Sequence, residues 1–472
     1  MLFNSIPFAL FLVLVFCGYW FVFHKNLRIQ NAFIFAVSYL FYGWWDWQFL
    51  FLISGSALVG FIVGILLEQN EDAHKRKLLV GLAITVNILF LALFKYANFF
   101  ADSLESLLNQ LGFQADFITL KIILPIGISF YTFHNISYII DIYRKTIPAT
   151  KDIIVYGSFM SYFPQLVAGP IQRAKTLIPQ FQKERQFDYA TAVAGLQQIL
   201  WGLFKKVIIA DTCSAHVNIA FAHYETLSGL QLILATVLFA FQIYGDFSGY
   251  TDMALGISKL FGIELTTNFK TPYFARSIPD FWKRWHISLT TWFKDYLYIP
   301  LGGNKKGLTI TLRNTLIIFL VSGFWHGANW TFIVWGLINA LYFIPYLFFK
   351  LDSKQEQYTF TDYLQMCIVF VCICFSWIFF RANSIEEAFA YITHVFSNPF
   401  ITNPLHEMLP WSLILPILFL LMVEWKYFRT DGFKAITFRY QWLAWTFYVF
   451  LTILILMNMS FHQSSDFIYF QF

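Results

Sequence analysis

Leu316-Ile-Ile-Phe-Leu-Val-Ser-Gly-Phe-Trp-His326-Gly-Ala-Asn-Trp330 is an apolar run that ends on an imidazole and restarts at once. Residues 308–325 carry one charged side chain, Arg313, and residues 330–349 carry none. A helix needs roughly 20 apolar residues to cross a bilayer, so both runs read as membrane spans. Arg313 stands one turn into the first and can snorkel.

The whole chain has the same character. Of its 472 residues 58% are hydrophobic, 21% aromatic and 12% charged. A soluble domain carries about 25% charged residues. Thirty-two basic and 27 acidic side chains do not cover the surface of a soluble protein of this length. A soluble globular protein, a disordered chain and a secreted disulfide scaffold are excluded, which leaves an all-α polytopic membrane protein. Cys17, Cys367, Cys372 and Cys374 lie in apolar runs and behave as small hydrophobes. The last three have no histidine partners at zinc spacing, so no metal site is expected.

About twelve spans are expected, at 6–23, 31–45, 49–67, 78–95, 121–141, 192–210, 229–246, 308–325, 330–349, 364–380, 410–424 and 442–460. The first lacks a basic stretch before it and a cleavage site after it, so it reads as a retained span. No long polar linker or internal repeat interrupts the chain, and a single domain, 1–472, is expected. With the N-terminus outside, 26 of the 32 basic residues fall in regions facing the cytoplasm. Both termini are then periplasmic.

Two regions depart from simple spans. Residues 153–171 are apolar, flanked by basic residues and interrupted by Pro164, Gly169 and Pro170, which suits a re-entrant segment. Residues 277–297 read as an amphipathic helix lying at the inner surface. Ser277 can cap it, Pro279 fits its first turn, and Asp280 suits its positive end. Trp282, Trp285, Leu289, Trp292 and Phe293 recur at helical spacing, and His286 falls on that apolar side.

On pattern alone, His286 reads as a buried, hydrogen-bonded structural side chain in preference to a functional one. His326 admits both readings too, but an ionisable group inside a membrane protein is a functional candidate by default. An imidazole titrating near neutrality can take a proton from an attacking hydroxyl. Small residues at Ser322, Gly323, Gly327 and Ala328 allow backbone or a ligand to come close. His326 and His286 are the catalytic candidates. Trp325 and Asn329, beside His326, and Trp285, beside His286, are candidate substrate or tunnel residues. Asp246 and Ser248 join them, in a stretch that reads as a turn where a span meets the inner face. Lys205 and Lys206 lie inside a span and face a polar cavity on this reading. No nucleophile elbow, phosphate-binding glycine loop or Asp-x-Asp pair is present.

Asp280-Phe-Trp-Lys-Arg-Trp-His286, followed by Ser322-Gly-Phe-Trp-His-Gly-Ala-Asn-Trp330, resembles the membrane-bound O-acyltransferase family, and within it the bacterial alginate and peptidoglycan O-acetyltransferases. Pro125-Ile-Gly-Ile-Ser-Phe-Tyr-Thr-Phe-His134, Phe163-Pro-Gln-Leu-Val-Ala-Gly-Pro-Ile-Gln-Arg173, Tyr298-Ile-Pro-Leu-Gly-Gly303 and Phe467-Ile-Tyr-Phe-Gln-Phe472 extend the likeness. The resemblance implies re-entrant and amphipathic segments around a recessed central tunnel, with His326 catalytic and His286 at a second polar position. It implies an acyl thioester such as acetyl-CoA as donor substrate, with no bound cofactor. It also implies a bacterial inner-membrane location and an esterase-like periplasmic partner that acetylates a polysaccharide. Two other classes remain at this point: a D-alanyl transferase for teichoic acid, and a transporter or flippase. No symmetric pair of interrupted helices supports the transporter.

Overall fold

The computed structural model describes residues 1–113, 124–166, 169–349, 359–398, 411–428, 438, 440–459 and 467–468. Among them the regular structure is entirely helical, and each of the twelve expected spans falls on a helix. Among the described residues, eight helices are long and apolar enough to cross a membrane. The beginning of the expected 121–141 span, Val167 and Ala168 of the 163–173 motif, and residues 469–472 of the terminal motif lie outside the described residues.

The chain forms two compact units. One holds residues 3–192 and 257–266, the other 193–256 and 267–472. In the first, Arg76 ties two helix ends together. Its guanidinium donates to Leu67 O, at the end of the Phe49–Gln69 helix. It also donates to Ile142 O and Tyr143 O, at 3.1 and 2.9 Å, which close the Ile128–Tyr143 helix. Terminal carbonyls lack intrahelical partners and a cation suits that end of the dipole, so one side chain completes both helices. Asn135 donates to Ser56 O at 2.6 Å and to Asn87 Oδ1 at 3.0 Å, and accepts from Tyr156 Oη at 3.2 Å.

The family-like motifs of this unit serve its packing. Gly127 stands at φ +73°, and a Cβ there would lie 2.5 Å from Leu166 O. His134 Nε2 accepts the Gln172 N–H at 3.0 Å, so the 125–134 and 163–173 motifs meet through a neutral imidazole that accepts. Within 153–171 the described residues include two short helices, Ile153–Ser161 and Phe163–Leu166. The longer has nine residues and rises only about 14 Å, too little to cross a bilayer.

The Gly229–Leu260 helix, whose residues 229–256 belong to the second unit, runs unbroken for 32 residues. This corrects the reading of 246–252 as a turn. Asp246 and Ser248 are 3% and 1% exposed, in the middle of that helix. The helix can continue because its acids are neutralised by lysines of the neighbouring helix: Lys206 pairs with Asp246 at 2.7 Å, and Lys205 pairs with Asp252. Close approach requires glycine on both sides. A Cβ on Gly249 would lie 2.7 Å from Gly202 O, and one on Gly256 would lie 2.5 Å from Gly195 O. The lysines sit in a π-helical turn, Phe204–Ala210, whose extra residue turns both of them inward.

Candidate functional site

The amphipathic segment starts as expected. Ser277 Oγ accepts the Asp280 N–H at 3.2 Å, capping the Ile278–Arg284 helix. It does not continue through 297. The helix stops at Trp285, His286 adopts φ 44° and ψ 53°, and a second helix runs Ile287–Phe293. The expected continuous helix is thus corrected to two helices broken at the candidate residue. The cause lies in the preceding irregular stretch. Ile287 N–H donates to Asn268 O at 2.9 Å, and Ser288 N–H and Oγ donate to Asn268 Oδ1 at 3.2 and 3.0 Å. Asn268 thereby replaces the helical bonds that His286 interrupts. A left-handed non-glycine residue persists only where its surroundings over-determine it.

His326 is the last residue of the Leu308–His326 helix. Its position follows from tight pairing with the Trp330–Phe349 helix. A Cβ on Gly323 would lie 2.2 Å from Phe332 O, and one on Gly336 would lie 2.3 Å from Phe319 O. Gly323 and Gly327 therefore admit neighbouring protein, while Ser322, one turn before His326, is left to face the cavity. Asn314, farther down the same helix, donates to Gly303 O at 2.9 Å and fixes the 298–303 loop.

The two histidines meet in one cavity of about 350 Å³. Apolar walls come from Trp282, Leu289, Phe293, Ile318, Phe319 and Phe343, and polar groups from Lys283, Thr290, Lys294, Tyr298, Thr315 and Ser322. The imidazole centroids are 6.5 Å apart. His286 is 1% and His326 4% exposed. Burial pushes the His286 imidazole down to about 3, because the charged form would leave water for an apolar pocket. It is a neutral ring at physiological pH, with one N–H to donate and one nitrogen to accept. Trp335 and Phe380 close around His326, at 5.1 and 5.4 Å between ring centroids.

Trp325 packs beside both candidates, 4.9 Å from the His326 ring and 6.0 Å from that of His286. The other four are placed elsewhere. Trp285 packs under the cavity against Phe281, Trp377 and Phe269. Asn329 donates to Asn383 O at 2.8 Å and accepts from Thr331 N–H at 3.1 Å, at the start of the next helix. Asp246 is bound to Lys206 and to the Ile468 N–H. Ser248 lines a separate polar cavity of about 60 Å³ with Lys205, Tyr244, Asp252, Asn268 and Glu424. The lysine pair expected to face a polar cavity thus divides: Lys205 lines it, and Lys206 is engaged by Asp246 and Asp211.

Sequence reasoning missed Asn268, Trp282, Lys283 and Lys294 as elements of the site. Asn268 carried no signal, since its partners lie across a helix break. The two lysines stood in the basic excess that cytoplasmic regions show anyway.

Buried within an apolar helical body, a pair of imidazoles beside a cavity large enough for an acyl chain or thioester arm suits acyl transfer. Residues 76–386 match the model of MBOAT, the membrane-bound O-acyltransferase family. The chain is 38% identical over 392 residues to the probable alginate O-acetylase AlgI of Pseudomonas putida, covering 82% of this chain and 79% of that protein. It is 36% identical over 417 residues to the peptidoglycan O-acetyltransferase of Helicobacter pylori, covering 82% and 78%. With the teichoic acid D-alanyltransferase of Bacillus subtilis it shares 28% identity over 278 residues, covering 55% and 69%. The chain belongs to the membrane-bound O-acyltransferase family and is a multi-pass membrane O-acyltransferase.

Proposed function

We propose that this enzyme moves an acetyl group from an acyl thioester to a hydroxyl, in the service of O-acetylating an extracytoplasmic polysaccharide of the alginate or peptidoglycan kind. The carrying observation is the pair of imidazoles 6.5 Å apart in one buried cavity. That spacing admits one reacting carbonyl within about 3 Å of both rings, the range in which proton transfer and orientation are effective.

His326 acts as general base. It takes the proton as the acceptor oxygen forms its bond to the carbonyl carbon, and returns it to the sulfur as the carbon–sulfur bond breaks. The products are an ester and a free thiol. His286, neutral through burial, donates its N–H to the carbonyl oxygen as negative charge develops there. Being neutral, it puts no positive charge beside His326 to oppose proton uptake by that base. Lys283 and Lys294 border the same cavity and offer positive charge to a phosphate-bearing donor such as acetyl-CoA.

On this reading the thioester enters from the cytoplasm, where most basic residues lie, and the acetyl group passes to a periplasmic partner that modifies the glycan. Both termini are periplasmic and the membrane is the bacterial inner membrane. Acetyl transfer is favoured over D-alanyl transfer because the likeness to the two O-acetyltransferase relatives spans 82% of the chain, against 55% for the D-alanyltransferase. His326→Ala should abolish glycan acetylation in cells while the amount of protein in the membrane is unchanged. Full acetylation by that variant would discard the assignment.

A further inference from the structure

Asp246 stands outside the histidine cavity, yet a short line of contacts joins it to His286. Lys206 Nζ holds Asp246 Oδ1 at 2.7 Å. The Ile468 N–H donates to the other oxygen, Oδ2, at 2.6 Å. A carboxylate gripped through both oxygens is fixed in orientation, and it fixes in turn the backbone that donates to it. The residue before, Phe467, is fully buried and packs on Tyr250 and Phe247, with ring centroids 4.7 and 5.8 Å away. Phe247 is also held by Phe269 at 5.0 Å. It meets the His286 ring at 4.7 Å and 83°, the edge-to-face arrangement that aromatic quadrupoles prefer.

His286 needs such support. Its backbone is left-handed, and Asn268 fixes the main chain on one side of it but leaves the ring's orientation to its neighbours. We propose that Asp246 is a positioning residue: by anchoring Phe467 and Ile468, it holds Phe247 against His286 and sets the imidazole in the cavity. The effect is steric and passes through the backbone N–H of Ile468. Asp246 touches no substrate.

This rests on the assignment of His286 to the site, so the experiment separates the two. Full-length protein in lipid vesicles is assayed for thiol release from acetyl-CoA with a hydroxyl-bearing glycan acceptor. Ile468→Pro removes the donated N–H and leaves Asp246 and Lys206 untouched, while Ile468→Ala keeps it. Ile468→Pro should lower kcat roughly tenfold to a hundredfold, the scale of a misplaced catalytic group, with KM for acetyl-CoA little changed. Ile468→Ala should recover most of the loss, and gel filtration should show all chains equally folded. Added to His286→Asn, Ile468→Pro should cost less than about twofold, because residues acting as one unit are not additive. An unchanged kcat in Ile468→Pro, or an equal factor lost with and without His286, overturns the positioning role. An unchanged kcat in His286→Asn alone overturns the reading of His286, and this inference with it.

Discussion

Replacing Lys206 by Met should destabilise the protein more than replacing Asp246 by Asn, although both break the same ion pair. Lys206 is 1% exposed and has two anionic partners, Asp246 at 2.7 Å and Asp211 at 2.9 Å. The Asp246 side chain is 4% exposed, and Lys206 is the cation that holds it. At 2.7 Å and an effective dielectric of 20 the gross attraction is about 6 kcal/mol, most of it offset by desolvation. What matters is what remains after each change. Lys206→Met strands a buried carboxylate with one N–H donor, and breaking a buried pair in this way costs about 3–5 kcal/mol. Asp211, with 26% of its side chain exposed, recovers hydration and adds little. Asp246→Asn leaves Lys206 paired with Asp211 and keeps an oxygen for Ile468, so about 1.5–3 kcal/mol is expected from the lost charge-assisted bond. The double variant Lys206→Met/Asp246→Asn has no stranded charge and should be more stable than Lys206→Met alone. Thermal melting of the detergent-solubilised protein, followed by loss of the monodisperse peak, ranks the three. A double variant no more stable than Lys206→Met would show that the buried carboxylate is not what the single change exposes.

Three further outcomes follow from the same geometry. Gly323→Ala places a Cβ 2.2 Å from Phe332 O, a backbone atom that cannot swing aside, so the Leu308–His326 helix must shift. Acetyl transfer should fall by at least about tenfold, with a lower melting temperature than Ala at exposed Gly81, where nothing lies within 4 Å. The His286 imidazole, pushed down to about 3, is neutral in the folded protein, whereas in the unfolded chain it binds a proton near 6.5. Its contribution is therefore intact above 6.5 and lost as pH falls from there towards 3, at up to about 1.4 kcal/mol per pH unit. His286→Gln should flatten the pH dependence of the melting temperature across that window, and an unchanged slope would refute a buried neutral ring. Lys283→Ala combined with Lys294→Ala should raise KM for acetyl-CoA and weaken its salt dependence, with kcat held within about threefold. An equal fall in kcat would place these lysines in the chemical step.

The spans were legible because the signal for a membrane helix is local: a run of apolar residues of sufficient length needs no partner to be recognised. His326 was legible for the same reason, as an ionisable group at the end of such a run. His286 was singled out as a candidate, but its geometry was not legible. The spacing of Trp282, Trp285, Leu289 and Trp292 is that of an unbroken helix, and the break is made by Asn268, in a stretch with no periodicity. The 246–252 stretch misled in the opposite direction. Two acids, a serine and a glycine within seven residues look like a solvated turn when read alone. They are helical because Lys205 and Lys206, on another helix, remove the reason for those acids to seek water. In both places the deciding group is distant in sequence, and one sequence does not show which distant groups meet.

The separation of carboxylates from the histidine cavity also has a chemical consequence. The buried ion pairs, Lys205 with Asp252 and Lys206 with Asp246, lie on the helices behind His286, and none of these four residues lines the histidine cavity. A carboxylate against either imidazole would raise its pKa, hold a proton on it and remove the base that the acceptor hydroxyl needs. Aromatic rings instead surround the two histidines: Phe247 on His286, Trp335 and Phe380 on His326, and Trp325 beside both. Rings orient an imidazole without fixing its protonation state. In water-poor surroundings a neutral N–H donor is also worth more against a developing oxyanion than it would be in solvent. The Lys206–Asp246 pair still contributes to the site, but through backbone and packing: Asp246 to Ile468, Phe467 to Phe247, and Phe247 to His286. On the proposed mechanism the Lys206–Asp246 pair thus sets geometry, while the field at the reacting carbonyl is left to the two imidazoles and the bordering lysines.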